Sequence, residues 1–267
     1  MTSKFIVRRM LIALEPSPSA PAALGSALRL AARLQAEADS LFVEDARLFA
    51  LFHDGDLPTT HVSALTGRPH VVDAAAMEAG LRAQGAQLAH AVNQMATTQR
   101  YACVLRTLRG PVAKTLIAEA ASADLLVVSR RARHVGAVLA ATARGAPVSV
   151  LVLPSDPGPA QGRIVIAASD GATLSRALAA AAGMAEARTV DLWLDQRMDA
   201  DAAVAEARTA GLTARVHPSI PADAADFAAR LPADTSLVIL AADAPVLAGD
   251  GFRAFFEIAQ TAALLLR

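Results

Sequence analysis

Several things are scarce in this 267-residue chain: it holds one cysteine, one tryptophan and one tyrosine, and its charge is balanced at 25 basic against 25 acidic residues. Each scarcity excludes something. The lone Cys103 can form neither an intrachain disulfide nor a cysteine-based zinc site, and such usage fits a reducing compartment, so a cytoplasmic location is expected. A nucleic-acid surface wants a basic excess and stacking aromatics, and with neither present no nucleic-acid partner is expected. No uncharged apolar run reaches the ~18 residues of a membrane span. The first apolar run, Met10 to Leu14, stops after five residues at Glu15-Pro16, short of a signal h-region.

What is present is apolar surface. Hydrophobic residues make up 54% of the chain, enough to bury one large core or two ordinary ones. The run Leu125-Leu126-Val127-Val128, entered from Ala123-Asp124 and closed by Ser129-Arg130-Arg131, is too short for an ordinary helix and lacks alternation. It predicts a strand buried on both faces, as a parallel sheet requires. In open parallel sheets ligands bind beyond the carboxyl ends of the strands, which places Ser129 to His134 at the expected crevice.

Taken in order, Met10 to Leu14 predicts a strand, the breaker-rich Glu15 to Ser19 a loop, and Leu24, Leu28, Ala31 and Leu34 the buried stripe of a helix. Leu41-Phe42-Val43 predicts a second strand. Residues 46 to 73 lose periodicity and read as an irregular insertion, after which Met77, Leu81, Leu88, Val92 and Met95 mark a helix from Ala74 to Thr97. A third strand begins at Cys103, Pro111 suits the first turn of the helix carrying Leu116, Ile117 and Ala120, and a short helix over Val135 to Ala143 leads to a fifth strand, Val148 to Leu153. Alanine, the best helix former, fills the gaps between strands.

Pro154 to Gly162 is rich in proline and glycine and predicts a linker, centred on 155–162. Beyond it the pattern repeats. Arg163 to Ala167 answers the first strand, Leu174 to Met184 the first helix, Val190 to Leu194 the second strand, Leu237 to Leu240 the fourth and Ala263 to Leu266 the fifth. Between them lie a helix, Ala200 to Ala210, and a weak strand, Thr213 to His217. The expected domains are therefore 1–154, with its insertion, and a shorter 163–267, each a doubly wound α/β unit of five strands.

Those features together resemble the universal stress protein family. The resemblance rests on the opening strand and proline-rich loop from Met10 to Ser19, the Leu41-Phe42-Val43-Glu44-Asp45 strand, the Ala123 to Val128 strand and the closing Pro147-Val148-Ser149-Val150-Leu151-Val152 segment. It is to a tandem member with a degenerate second domain. It implies two five-stranded parallel sheets of the adenine nucleotide alpha hydrolase-like type. It also implies that ligand contacts come from Glu15, Ser17, Val43, Ser129, Arg130 and Arg131, with Asp170 and Gly171 in the second copy. The implied partners are the two domains themselves as an internal pseudo-dimer, a second chain in a homodimer, and a protein partner.

Nucleotide-binding members of that family carry an Asp after the first strand and a phosphate loop spaced Gly-x2-Gly-x9-Gly-Ser/Thr after the fourth, whose glycines let backbone amides cradle phosphates. Here Glu15 follows the first strand. After the fourth come Gly136 and then Gly145, itself followed by Ala146, so the cradle is missing. Micromolar affinity needs roughly 8 kcal/mol, and a helix N-terminus supplies only about 0.3 to 2. The resemblance therefore implies a stress-response protein that works by binding or interaction without tight ATP binding. The alternative is a sensor or weak ATPase that takes ATP or another adenine nucleotide in the crevice.

The remaining candidates read as ordinary structure. Arg130, Arg131, Arg133 and His134 form either an anion contact or a solvated positive loop paired with Glu15 or Glu44. Gly110-Pro111-Val112-Ala113-Lys114-Thr115 lacks the glycine spacing of a Walker A loop and predicts a helix start. His53, His61 and His70, with Asp54 and Asp56, match no metal-ligand spacing. Cys103 lies in a predicted strand as a small core residue, no nucleophile elbow surrounds Ser129, and Ser169-Asp170-Gly171 makes a strand-to-helix turn. No strong catalytic constellation is present, which favours binding over catalysis and leaves the weak ATPase, or an unrelated α/β enzyme acting through the histidine-rich insertion, as alternatives.

Overall fold

A computed structural model describes residues 5–47, 60–62, 69–71, 74–130, 136–154, 162–184, 186, 188–217 and 219–267. The first half runs β1 (Arg9–Leu14), α1 (Ala20–Leu34), β2 (Glu37–Asp45), β3 (Thr60–Val62), β4 (Pro69–Val71), α2 (Ala74–Gln99), β5 (Leu105–Gly110), α3 (Val112–Ala120), β6 (Leu125–Ser129), α4 (Ala137–Gly145) and β7 (Ser149–Leu153). The second runs β8 (Arg163–Ala168), α5 (Gly171–Met184), β9 (Thr189–Leu194), α6 (Ala200–Thr209), β10 (Thr213–His217), α7 (Ala224–Ala229), β11 (Thr235–Ala241), a 3-10 turn (Pro245–Leu247), α8 (Gly251–Ile258) and β12 (Ala262–Leu266).

Ten strands form one sheet in the order β10-β9-β8-β11-β12-β7-β6-β1-β2-β5. Within each half the order is third, second, first, fourth, fifth, and every pairing is parallel. The halves meet at the antiparallel pair β7 and β12, with Leu151 opposite Leu264. An unpaired β7 or β12 would leave an apolar strand with free backbone groups at an edge, and mutual pairing removes both edges.

Alternation along the strands divides the core by face. Met10, Ile12 and Leu14 of β1 and Ile164 and Ile166 of β8 pack under α1, α2, α5 and α6, while Leu11, Ala13, Val165 and Ala167 pack under α3, α4, α7 and α8. Each layer runs through both halves. At the seam Arg33 of α1 donates to the Met184 carbonyl at 2.9 Å and pairs with Glu186. On the opposite face Arg144 of α4 donates to the Gly249 carbonyl at 2.7 Å.

The two halves also repeat an ion pair. Arg9 of β1 meets Asp39 of β2 at 2.7 Å, and at the matching positions Arg163 of β8 meets Asp191 of β9 at 3.2 Å. The register confirms the match, since Asp39 lies beside Leu11 and Asp191 beside Val165.

Three sequence expectations are adjusted. The third strand starts at Leu105; Cys103 precedes it as a buried residue whose thiol pKa is raised by burial, and Ser40 anchors the entry by bonding the Val104 carbonyl through its N–H (3.1 Å) and hydroxyl (3.0 Å). The insertion contains a hairpin, β3 and β4, with His61 opposite His70 in backbone register; His53, Asp54 and Asp56 lie outside the described residues. α7 and α8, six and eight residues long, are too short for a periodic stripe to announce them. The linker lies outside the described residues except for its end residues Pro154 and Gly162.

Candidate functional site

The carboxyl ends of β1, β2 and β6 open into a cavity of about 500 Å³, closed from the sides by α2, α3 and α4. This is the volume of a small-molecule site. Its walls are Ala13, Leu41, Val43, Leu116, Val128 and Leu139. Polar groups enter from Glu15, Asp45, Gln84, Ser129 and Thr142.

Of the residues expected here, Glu15, Val43 and Ser129 line the cavity. Ser17 does not. Its hydroxyl lies 3.2 Å from that of Ser19 and its carbonyl accepts from Ala20 N–H, so it shapes the turn into α1.

Arg130 is a correction to the expected crevice cation. Its N–H donates to the Leu153 carbonyl at 3.0 Å, which extends the β6 ladder by one residue. Alternation then sends its side chain to the opposite face from Ser129. There it is 2% exposed and donates to the Phe256 carbonyl and, at 3.4 Å, to Gln260 of the second half. Burial lowers its pKa. Arg131, Arg133 and His134 lie outside the described residues.

The carboxylates near the cavity mouth are largely matched by cations. Arg47 forks onto Asp45 through Nε at 3.1 Å and Nη2 at 3.0 Å, and these bonds hold the Asp45 carboxyl below its ordinary pKa. Glu44 pairs with Arg109 at 3.1 Å. Among the described residues that line the cavity none is basic.

The second half treats the same place differently. β1 and β8 are both six-residue strands, and aligning them puts Glu15 level with Ser169 and Pro16 level with Asp170. Asp170 is an N-cap: its carboxylate accepts from Thr173 N–H and Thr173 hydroxyl, both at 2.8 Å, and the backbone bond is the main cause of its lowered pKa. Gly171 begins α5 with nothing within 4 Å of the place its Cβ would occupy, so no close approach requires glycine there. Neither residue belongs to a described cavity.

Aromatic rings occupy this end of the second half. Trp193 of β9, beside Ala167, stands where Leu41 stands beside Ala13. Trp193 meets Phe227 edge-on at 5.7 Å, Phe227 stacks on Phe255 at 5.7 Å, and Phe255 meets Phe256 at 5.0 Å. α4 and α8 are separated from β7 and β12 by the same spacing, and the register Leu125 with Ser149 matches Leu237 with Ala262. On that alignment Leu139 corresponds to Phe252, Thr142 to Phe255 and Ala143 to Phe256. The first half keeps a cavity where the second has phenyl rings.

Leu41, Asp45, Gln84 and Thr142 are lining residues that sequence reasoning missed. The substitution of Thr142 by phenylalanine between repeats was the available signal, and it becomes readable only once the two helices are aligned through the strands that follow them. Among the described residues no group of three His, Cys, Asp or Glu side chains is assembled to hold a metal ion, and no helix is long and apolar enough to cross a membrane.

No family model matches the sequence, and no curated protein matches it. Solved structures do. A universal stress protein from Archaeoglobus fulgidus DSM 4304 aligns over 99% of this chain and 97% of its own, with a TM-score of 0.69 and 13% identity. A functionally unknown protein from Pseudomonas aeruginosa PAO1 aligns over 98% and 93%, with a TM-score of 0.55 and 17% identity.

Proposed function

From the universal stress protein fold that the chain shares with these structures, we propose that it is a universal-stress-like protein that acts by binding and not by catalysis, with one small-molecule site in the first half. The second half is its structural counterpart, and the two act as an internal pseudo-dimer joined through β7 and β12. The observation that carries this reading is the contrast between equivalent places, a cavity of about 500 Å³ beside β1, β2 and β6 and a set of packed aromatic rings at the other.

Tight ATP binding is not part of the reading. The described lining presents carboxylates and hydroxyls, and Arg130, the cation nearest in sequence, is engaged with the second half. The described lining supplies no cation to balance a buried triphosphate. Two measurements test this. Purified protein is denatured and its released small molecules identified by mass spectrometry, and its melting temperature is followed with millimolar ATP. The reading expects no stoichiometric adenine nucleotide and no shift; a stoichiometric nucleotide, or a rise of several degrees, supports the nucleotide-sensor alternative instead.

A further inference from the structure

Thr142 is fully buried, at 0% exposure, lines the first-half cavity, and its hydroxyl makes no hydrogen bond with any described residue. The buried Thr261 hydroxyl is likewise unpartnered but lies outside the cavity. Thr97, Thr98, Thr115 and Thr209 each bond the carbonyl four residues back, at 2.8, 2.8, 3.1 and 3.0 Å, and Thr173 bonds Asp170. A buried hydroxyl without a partner is costly. At the corresponding position the second half avoids that cost with Phe255.

We infer that the cavity receives an uncharged organic molecule with an apolar body and one hydrogen-bonding group, a hydroxyl, carbonyl or ring nitrogen, that meets the Thr142 hydroxyl. This rests on the reading of the crevice as a ligand site and adds the class of ligand. The walls shared with Thr142 are among the most buried of the lining: Leu41 at 0%, Val128 at 5% and Leu116 at 6% exposure. A charged group placed among them would lose its hydration without a cationic partner among the described lining residues. Apolar walls give such a ligand its affinity, and the hydroxyl gives it orientation.

The test uses the full chain and the fluorescence of 2-naphthol, with 2-methylnaphthalene as the partner lacking a hydrogen-bonding group and 2-naphthoate as the anion. Wild type is expected to bind 2-naphthol more tightly than 2-naphthoate. Thr142→Val keeps the shape and removes the hydroxyl. It should weaken 2-naphthol by roughly five- to tenfold and leave 2-methylnaphthalene unchanged. The same variant should melt at a higher temperature than wild type without ligand, because an unpaired buried hydroxyl is gone. Thr142→Phe copies the second half and should abolish binding of both; Leu139→Phe, which copies Phe252, serves if that variant does not fold.

The outcomes separate the two levels. Binding of 2-naphthol that Thr142→Phe or Leu139→Phe abolishes but Thr142→Val leaves unchanged overturns the role of the hydroxyl while the crevice remains a ligand site. Tighter binding of 2-naphthoate overturns the uncharged class. No binding of any probe to wild type, or binding that survives filling the cavity, overturns the reading of the crevice itself.

Discussion

The repeated ion pair allows one prediction to be made twice in the same molecule. Arg9 and Asp39 are 44% and 34% exposed, whereas Arg163 is 28% exposed and Asp191 is at 0%. Arg9→Met removes a solvated pair, and Asp39 can recover water; the expected loss is about 0 to 1 kcal/mol. Arg163→Met leaves the Asp191 carboxylate buried, beside the His217 imidazole at 3.5 Å. Removing one partner of a buried pair costs about 3 to 5 kcal/mol, because the remaining charge has lost both water and counter-ion. Adding Asp191→Val to Arg163→Met should recover most of that loss, since the stranded charge goes with it. Urea unfolding followed by circular dichroism reads all four proteins, with shifted midpoints at similar slopes. Equal losses for Arg9→Met and Arg163→Met, or a double variant less stable than Arg163→Met, would refute the argument from burial.

Three further outcomes are expected. Asp170→Ala removes the cap of α5 and should cost about 1 kcal/mol at neutral pH. Because Thr173 holds the folded-state Asp170 pKa below its ordinary value, this contribution is complete above about pH 4 and fades as pH falls through the folded pKa, so the melting temperatures of variant and wild type should converge in acid. In Gly162→Ala the new Cβ would lie 2.1 Å from the Asp234 carbonyl oxygen, which forces backbone apart at the entry to β8 and should cost about 1 to 3 kcal/mol by urea unfolding. Phe255→Ala should cost about 3 to 5 kcal/mol and open an apolar cavity in the second half. Benzene would then raise the variant's melting temperature by more than that of wild type.

Much of this architecture was legible because it rests on local pattern. Leu125 to Val128 and Val148 to Leu153 are short apolar runs that only a strand buried on both faces accommodates, and Thr213 to His217 was placed to the residue. The long helix over Ala74 to Gln99 shows its stripe despite Gly80 and Gly85, since Leu88 and Val92 reach the core. Less legible were features that depend on which half a residue faces. Arg130 looked like the lip of a pocket because it follows a strand end, and only the extra ladder bond to Leu153 turns it toward Phe256. Thr142 gave no motif at all. Its meaning lies in an absent hydrogen bond and in its correspondence with Phe255, both of which require coordinates. α8 was hidden by its length, although its phenylalanines fill the place in the second half that corresponds to the first-half cavity.

The central claim is one ligand site per chain, in the first half, independent of ATP. Calorimetric titration of the full chain with 2-naphthol, alone and in millimolar ATP, tests it most directly. The account predicts a single site per chain whose affinity ATP does not change. Two sites per chain, or displacement of the probe by ATP, would contradict it.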